Sequence, residues 1–221
     1  MNNNWRMLPT THYPLPTKKK STALFFGSFN PIHVGHLVIA NTMLQVGATK
    51  GSEYHQKQEG IDEVWLVVSP QNPLKERATL LADHHRLQMV RRAIEDNYRL
   101  RACDIEMHLP VPSYTVVTLA ALDEKYPDRE FCLIMGSDNL ASFHRWRNYE
   151  YILQNYHIYV YPRPGSEHCP LHDHPNVTMT DVPMMDISSS YIRRQIADGK
   201  DVRYLLTEPV YKYLTEMHFY E

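Results

Sequence analysis

The stretch TALFFGSFNPIHVGHLVIA, residues 22–40, decides the fold. Its first five residues form a short apolar run of the kind found in a strand buried on both faces, and the run stops at Gly27. Beyond the glycine the texture changes. Apolar residues at Val34, Leu37, Ala40 and Leu44 recur at helical spacing, and Gly47 is a stop signal. A strand that turns through glycine straight into a helix is a building unit of a parallel α/β sheet, and in such sheets ligands bind at the carboxyl ends of the strands.

The turn GSFNPIHVGH, residues 27–36, leaves three readings open. Gly27 lets backbone N–H groups approach a ligand closely, and Gly35 leaves room for a flat group against the backbone. His33 and His36 fall at a helix start, where unpaired N–H groups and the helix dipole favour an anion, so one reading is a phosphate site. Two histidines three apart can also face one way and hold zinc, although no HExxH pattern or third ligand stands nearby. The last reading is a tight structural turn.

Working outward, VWLVVS (64–69), FCLIMG (131–136) and HIYVY (157–161) repeat the buried-strand signature, with LRACDIE (100–106) and VTMTD (177–181) as further strands. Helices are expected from Asp83, as cap, to about Asp96 with Leu87, Val90 and Ile94 inward, and over TVVTLAALDEKY (115–126). Others are expected in the stretch holding Trp146 and Ile152, from about Ser189 to Asp198 with Gly199 as stop, and around VYKYLTEM (210–217). Strands alternating with helices imply an α/β fold with a mostly parallel sheet covered on both faces. Residues 1–20, which contain Trp5, read as an extension outside a single domain of residues 21–221, and the polar segment 48–60 reads as a surface loop.

The chain of 221 residues is long enough for a sizeable core, and 23 basic against 25 acidic side chains mark no polyanion-binding surface, so no nucleic-acid partner is expected. Cys103, Cys132 and Cys169 form no CxxC pair, which fits a reducing, cytoplasmic setting. No apolar run approaches the roughly 18 residues of a membrane span, and no secretion signal is legible.

Two further stretches carry chemistry. In ISSSYIRRQI, Ser188 to Ser190 can cap a helix with Arg193 one turn in, a hydroxyl and guanidinium set that suits phosphate oxygens or serves as a plain cap. In HCPLHDH, His168, Cys169, His172 and His174 are metal-ligand types, but they lie in a proline-rich loop with no zinc-module spacing and read as surface loop.

Together, GSFNPIHVGH and ISSSYIRRQI resemble the GxFxPxHxGH and ISSTxIR signatures of the nucleotidyltransferase superfamily. Between and beyond them, SYTVVTL, FCLIMGSDNLASFHRW, VYPRPG and YLLTEPVYKYL resemble the bacterial nicotinate mononucleotide adenylyltransferases, from about Thr22 to Leu214. The resemblance implies a Rossmann-like sheet with a small C-terminal helical part. It implies transfer of AMP from ATP to nicotinate mononucleotide, with Mg²⁺ carried mainly by ATP phosphates and no dedicated protein metal site. By the same resemblance His33, His36 and Arg193 are catalytic, and a cationic His36 could also stabilise the transition-state phosphates. Gly27, Ser28, Phe29, Gly35, Gly136, Asp138, Ser189 and Ser190 would bind ATP, and Lys75, Tyr114, Thr115 and Trp146 the acceptor. Nicotinamide mononucleotide or phosphopantetheine as acceptor, and a non-catalytic nucleotide-binding module, are the alternatives.

Departures from that family pattern gather on the acceptor side. Val117 stands where an aspartate is common, Arg147 follows Trp146 where an aromatic is frequent, and SPQNPLK is shorter than the usual loop. In the first motif, Phe26 and Asn30 replace a second glycine and an acid.

Overall fold

The computed structural model describes residues 18–46, 60–70, 80–165 and 169–221. Among these residues six strands, β1 (Lys20–Gly27), β2 (Glu63–Val68), β3 (Leu100–Cys103), β4 (Arg129–Gly136), β5 (His157–Tyr161) and β6 (Val177–Met179), form one sheet in the order β3-β2-β1-β4-β5-β6. Every neighbouring pair is parallel. The chain moves outward from β1 to β3, then returns to place β4 on the other side of β1. The order therefore reverses between β1 and β4, and a crevice opens there at their carboxyl ends.

Among the described residues, seven α-helices surround the sheet: α1 (Val34–Met43), α2 (Asp83–Ala93), α3 (Thr115–Lys125), α4 (Ser137–Ala141), α5 (Tyr149–Asn155), α6 (Ser189–Ala197) and α7 (Glu208–Glu216). Successive strand side chains point to opposite faces, and both faces are covered. Ala23 and Phe25 of β1 join Val64, Leu66 and Val68 of β2 in a core with Ala40, Val90, Ile192 and Leu214. Leu24, Trp65 and Val67 join the opposite core with Leu119, Leu122, Phe143 and Ile152. That double burial explains the unbroken apolar runs at these strands.

The ends of the sheet are polar. At the amino ends, Glu63 accepts hydrogen bonds from Lys20 Nζ (3.0 Å), Trp65 Nε1 (2.9 Å) and Arg129 Nη1 (2.8 Å), which joins β1, β2 and β4. Burial pushes the Glu63 carboxyl up, but those hydrogen bonds and the Arg129 charge outweigh it and bring the carboxyl down to about 2.

At the carboxyl ends, Arg86 of α2 is 0% exposed. Its guanidinium donates to the carbonyls of Ser28 (2.6 Å), Ser69 (2.8 Å), Pro70 (3.4 Å) and Leu81 (3.0 Å) and to Asp83 Oδ1 (2.5 Å). Asp83 is therefore the first helical residue, Ala82 occupies the cap position, and the carboxylate expected to cap the helix holds Arg86 instead. LRACDIE is strand only to Cys103, and Ile105–His108 turn away as a single 3₁₀ turn. Gly47, residues 1–17 with Trp5, and most of the polar segment 48–60 lie outside the described residues.

Candidate active site

A cleft of about 690 Å³ lies at the carboxyl ends of β1 and β4. Its walls include the turn between β1 and α1, the start of α4 with Trp146, and the start of α6. The turn is built from the inside. Phe29 takes the left-handed φ of 45°, and its buried ring folds back over Gly27, where an added Cβ would sit 2.8 Å from it. The ring packs edge-on against Phe25 (5.8 Å) and His36 (5.1 Å), so Phe29 anchors the turn in the core while the turn itself lines the cleft.

Side chains from distant parts of the chain occupy the carbonyls of this turn. Arg86 holds Ser28 O, Arg193 Nη1 donates to Asn30 O (2.8 Å), and Ser189 Oγ donates to Pro31 O (2.9 Å). With those acceptors engaged, the groups left for an anion are donors: orphan N–H groups in the first turn of α1, and the two imidazoles.

The His33 N–H donates to His36 Nδ1 at 3.2 Å, and the two rings lie 3.8 Å apart. That bond engages His36 Nδ1 as an acceptor. Burial, reinforced by the nearby Arg163 charge, lowers His33 to about 4, which makes it neutral at pH 7. His33 Nδ1 is buried and has no hydrogen-bond partner among the described residues. Gly35 has a specific reason to be glycine here. A Cβ at that position would lie 3.0 Å from His33 Nδ1, so the flat group it admits is the histidine ring.

At the far wall, Gly136 ends β4, and a Cβ on it would collide with the Asp138 carboxylate. Ser188 caps α6 by accepting the Tyr191 N–H (3.2 Å), and Arg193 Nη2 reaches Ser190 Oγ (3.3 Å). Gly27, Ser28, Phe29, His33, His36, Asp138, Trp146, Ser189, Ser190 and Arg193 are thus brought around one space. Gly35 and Gly136 support it from behind. Trp146 is half-buried against Phe143 (5.2 Å) and lines the cleft. Tyr114 and Thr115 stand apart from the lining at the start of α3, with the Arg147 guanidinium 4.8 Å over the Tyr114 ring. Lys75 and His168 lie outside the described residues.

Arg163, which sequence reasoning left without a role, also lines the cleft. It follows β5, its N–H donates to Ser137 Oγ (2.8 Å) and its guanidinium reaches Tyr161 OH (3.3 Å). The signal was an arginine between two prolines directly after a strand. The HCPLHDH loop is local: the Cys169 N–H donates to His172 Nδ1 (3.3 Å) and the Asn176 N–H to His174 Nδ1 (3.1 Å).

The reversal of strand order, the histidine-bearing turn and the serine-capped helix facing it define a nucleotidyltransferase of the cytidylyltransferase-like class, and the model of that family matches residues 24–195. The chain is 48% identical over 200 residues to the Flavobacterium johnsoniae protein named "probable nicotinate-nucleotide adenylyltransferase", covering 90% of this chain and 97% of that one. A Bacteroides fragilis protein of the same name is 48% identical over 194 residues, covering 88% and 90%. The chain belongs to this nicotinate-nucleotide adenylyltransferase family. Its fold is shared with the Plasmodium falciparum nicotinic acid mononucleotide adenylyltransferase complexed with NaAD, with a TM-score of 0.72, 20% identity, and coverage of 91% and 97%.

Proposed function

We propose that the protein transfers AMP from ATP to nicotinate mononucleotide, forming nicotinate adenine dinucleotide and pyrophosphate in NAD synthesis. The observation that carries this reading is the pair of imidazoles at the start of α1, facing a cleft that the Arg163 and Arg193 cations also line. The 5′-phosphate of the mononucleotide is already an anionic nucleophile, so no protein nucleophile is needed. One of its oxygens bonds to the α-phosphorus of ATP while the α–β bridging bond breaks and pyrophosphate leaves.

The protein's task is alignment and stabilisation of charge developing on the leaving oxygens. His36 Nε2–H, His33 and the N–H groups of the first turn of α1 donate to the triphosphate, with Ser190 and Arg193 at its outer end. Ser189 and Arg193 also brace the turn that presents those donors. Asp138 lies by the adenosine, and Trp146 offers an indole face to the pyridine ring, with Lys75, Tyr114 and Thr115 on the acceptor side. Asp138 is the only carboxylate lining the cleft among the described residues, and no cluster of three metal-ligating side chains occurs among them. This donor set fits Mg²⁺ carried in by phosphate oxygens, where the ion would neutralise charge on the triphosphate.

The test is pyrophosphate release from ATP and Mg²⁺ with nicotinate mononucleotide, nicotinamide mononucleotide or phosphopantetheine. The acid is expected to turn over at least about tenfold faster than the amide, since a pocket built for one hydrogen-bonding pattern discriminates strongly against another. Equal or faster turnover of the amide overturns the acceptor. Absence of pyrophosphate with every acceptor identifies a nucleotide-binding module instead.

A further inference from the structure

The penultimate residue of the chain reaches the phosphate-binding turn. Asn30 is 3% exposed, and its side-chain oxygen accepts two hydrogen bonds, one from Tyr220 OH (2.6 Å) and one from the Leu81 N–H (3.2 Å). The backbone oxygen of the same residue is the one that Arg193 holds. Asn30 is therefore a junction between the turn that carries His33, the helix that carries Arg193, and the end of the chain.

The delivery of Tyr220 is structured. After α7, the His218 N–H donates to Thr215 O (3.2 Å) and the Phe219 N–H to Leu214 O (3.1 Å), which turns the chain back on its own helix. Phe219 wedges between His85 of α2 (4.8 Å) and Tyr213 of α7 (5.8 Å). His218 and Tyr220 both adopt left-handed φ values, 53° and 68°. Non-glycine residues persist in that region only where surrounding contacts over-determine them. Burial pushes the Tyr220 phenol well above its ordinary value, although the Arg193 and Arg86 charges pull it back, so it remains a donor at any working pH.

We propose that Tyr220 is a positioning residue for adenylyl transfer: through Asn30 its hydroxyl fixes the turn between β1 and α1, and with it the register of His33 and Arg193 on the triphosphate. Without the phenol, the Asn30 oxygen keeps the Leu81 N–H but loses the shorter of its two hydrogen bonds, and the turn whose carbonyl Arg193 grips is held less firmly. The proposal rests on ATP being the nucleotide in the cleft.

The test uses the full chain with Tyr220→Phe, which keeps the ring and removes the hydroxyl, beside Tyr220→Leu, which removes both. The hydroxyl role predicts that kcat/KM for ATP falls about tenfold in both variants, the effect of one buried hydrogen bond, while KM for nicotinate mononucleotide stays within about twofold of wild type. A loss confined to Tyr220→Leu, or a lowered melting temperature with kinetics unchanged in both, assigns Tyr220 to packing and overturns the proposal. In an Asn30→Ala background, Tyr220→Phe should produce no further loss, and an independent tenfold loss would refute the route through Asn30. Calorimetric binding of a non-hydrolysable ATP analogue reads the same cycle without turnover. Failure of the wild type to release pyrophosphate would then count against the assigned reaction, and an analogue affinity untouched by Tyr220→Phe against this inference.

Discussion

At the amino ends of the strands, Glu63 gathers Lys20, Trp65 and Arg129 onto one carboxylate, whereas at the carboxyl ends Arg86 and Arg193 direct their guanidinium groups mainly at backbone carbonyls. The first arrangement sets one carboxylate against two cations and joins three strands. The second pairs Arg86 with Asp83, directs Arg193 at a carbonyl and a hydroxyl, and immobilises the turn that must receive a ligand. An ion pair closes a surface, and a cation bonded to carbonyls stiffens one and leaves its field available to an anion.

The difference can be broken at either end. Arg86→Met should have the largest effect, about 3–5 kcal/mol of unfolding free energy by urea titration, because it strips a buried guanidinium from several carbonyls and leaves Asp83 unpaired. Activity should fall with it, since Ser28 loses its anchor. Next, His36→Ala should lower kcat about a hundredfold, the usual effect of removing one preorganised donor, with the melting temperature nearly unchanged. Retained turnover in that variant would remove His36 from the mechanism.

The smallest effect belongs to the amino end. Glu63→Gln should cost about 1.5–3 kcal/mol, the range for hydrogen bonds to charged groups, and leave kinetic constants at wild-type values. Its signature is pH. Glu63 binds its proton near 4.5 in the unfolded chain and at about 2 in the folded one. Its stabilisation is therefore complete above pH 4.5 and disappears as pH falls toward 2. Melting curves between pH 5 and 2.5 should fall steeply for wild type and less steeply for the variant. Parallel curves would show that the carboxylate is not the group that titrates.

Much of this was legible in the amino-acid order. Runs such as TALFF, VWLVVS and FCLIMG carry no polar break because helices cover both faces, and TVVTLAALDEKY became α3 with its limits nearly unchanged. The histidine turn and the serine cap were also legible, since glycine, imidazole and hydroxyl at a helix start have few other uses. Arg86 was not. In DHHRLQMV it looks like one more solvated helix residue, and only the tertiary approach of Ser28, 58 positions away, makes it a buried anchor of the turn. Tyr220 was less visible still, 190 positions from Asn30. Local periodicity reports which face of an element is apolar, and it contains no information about which distant carbonyl a long polar side chain will find.

The space above Gly35 sets a rule for anyone who redesigns this protein. The Gly35 position is occupied by the enzyme's own His33 ring rather than waiting for a substrate. A library that varies the cleft to admit a different nucleotide can target lining residues such as Ser28 or Asp138. It cannot place even a methyl group at position 35 without displacing the imidazole beneath it, whatever cargo the new pocket is meant to carry.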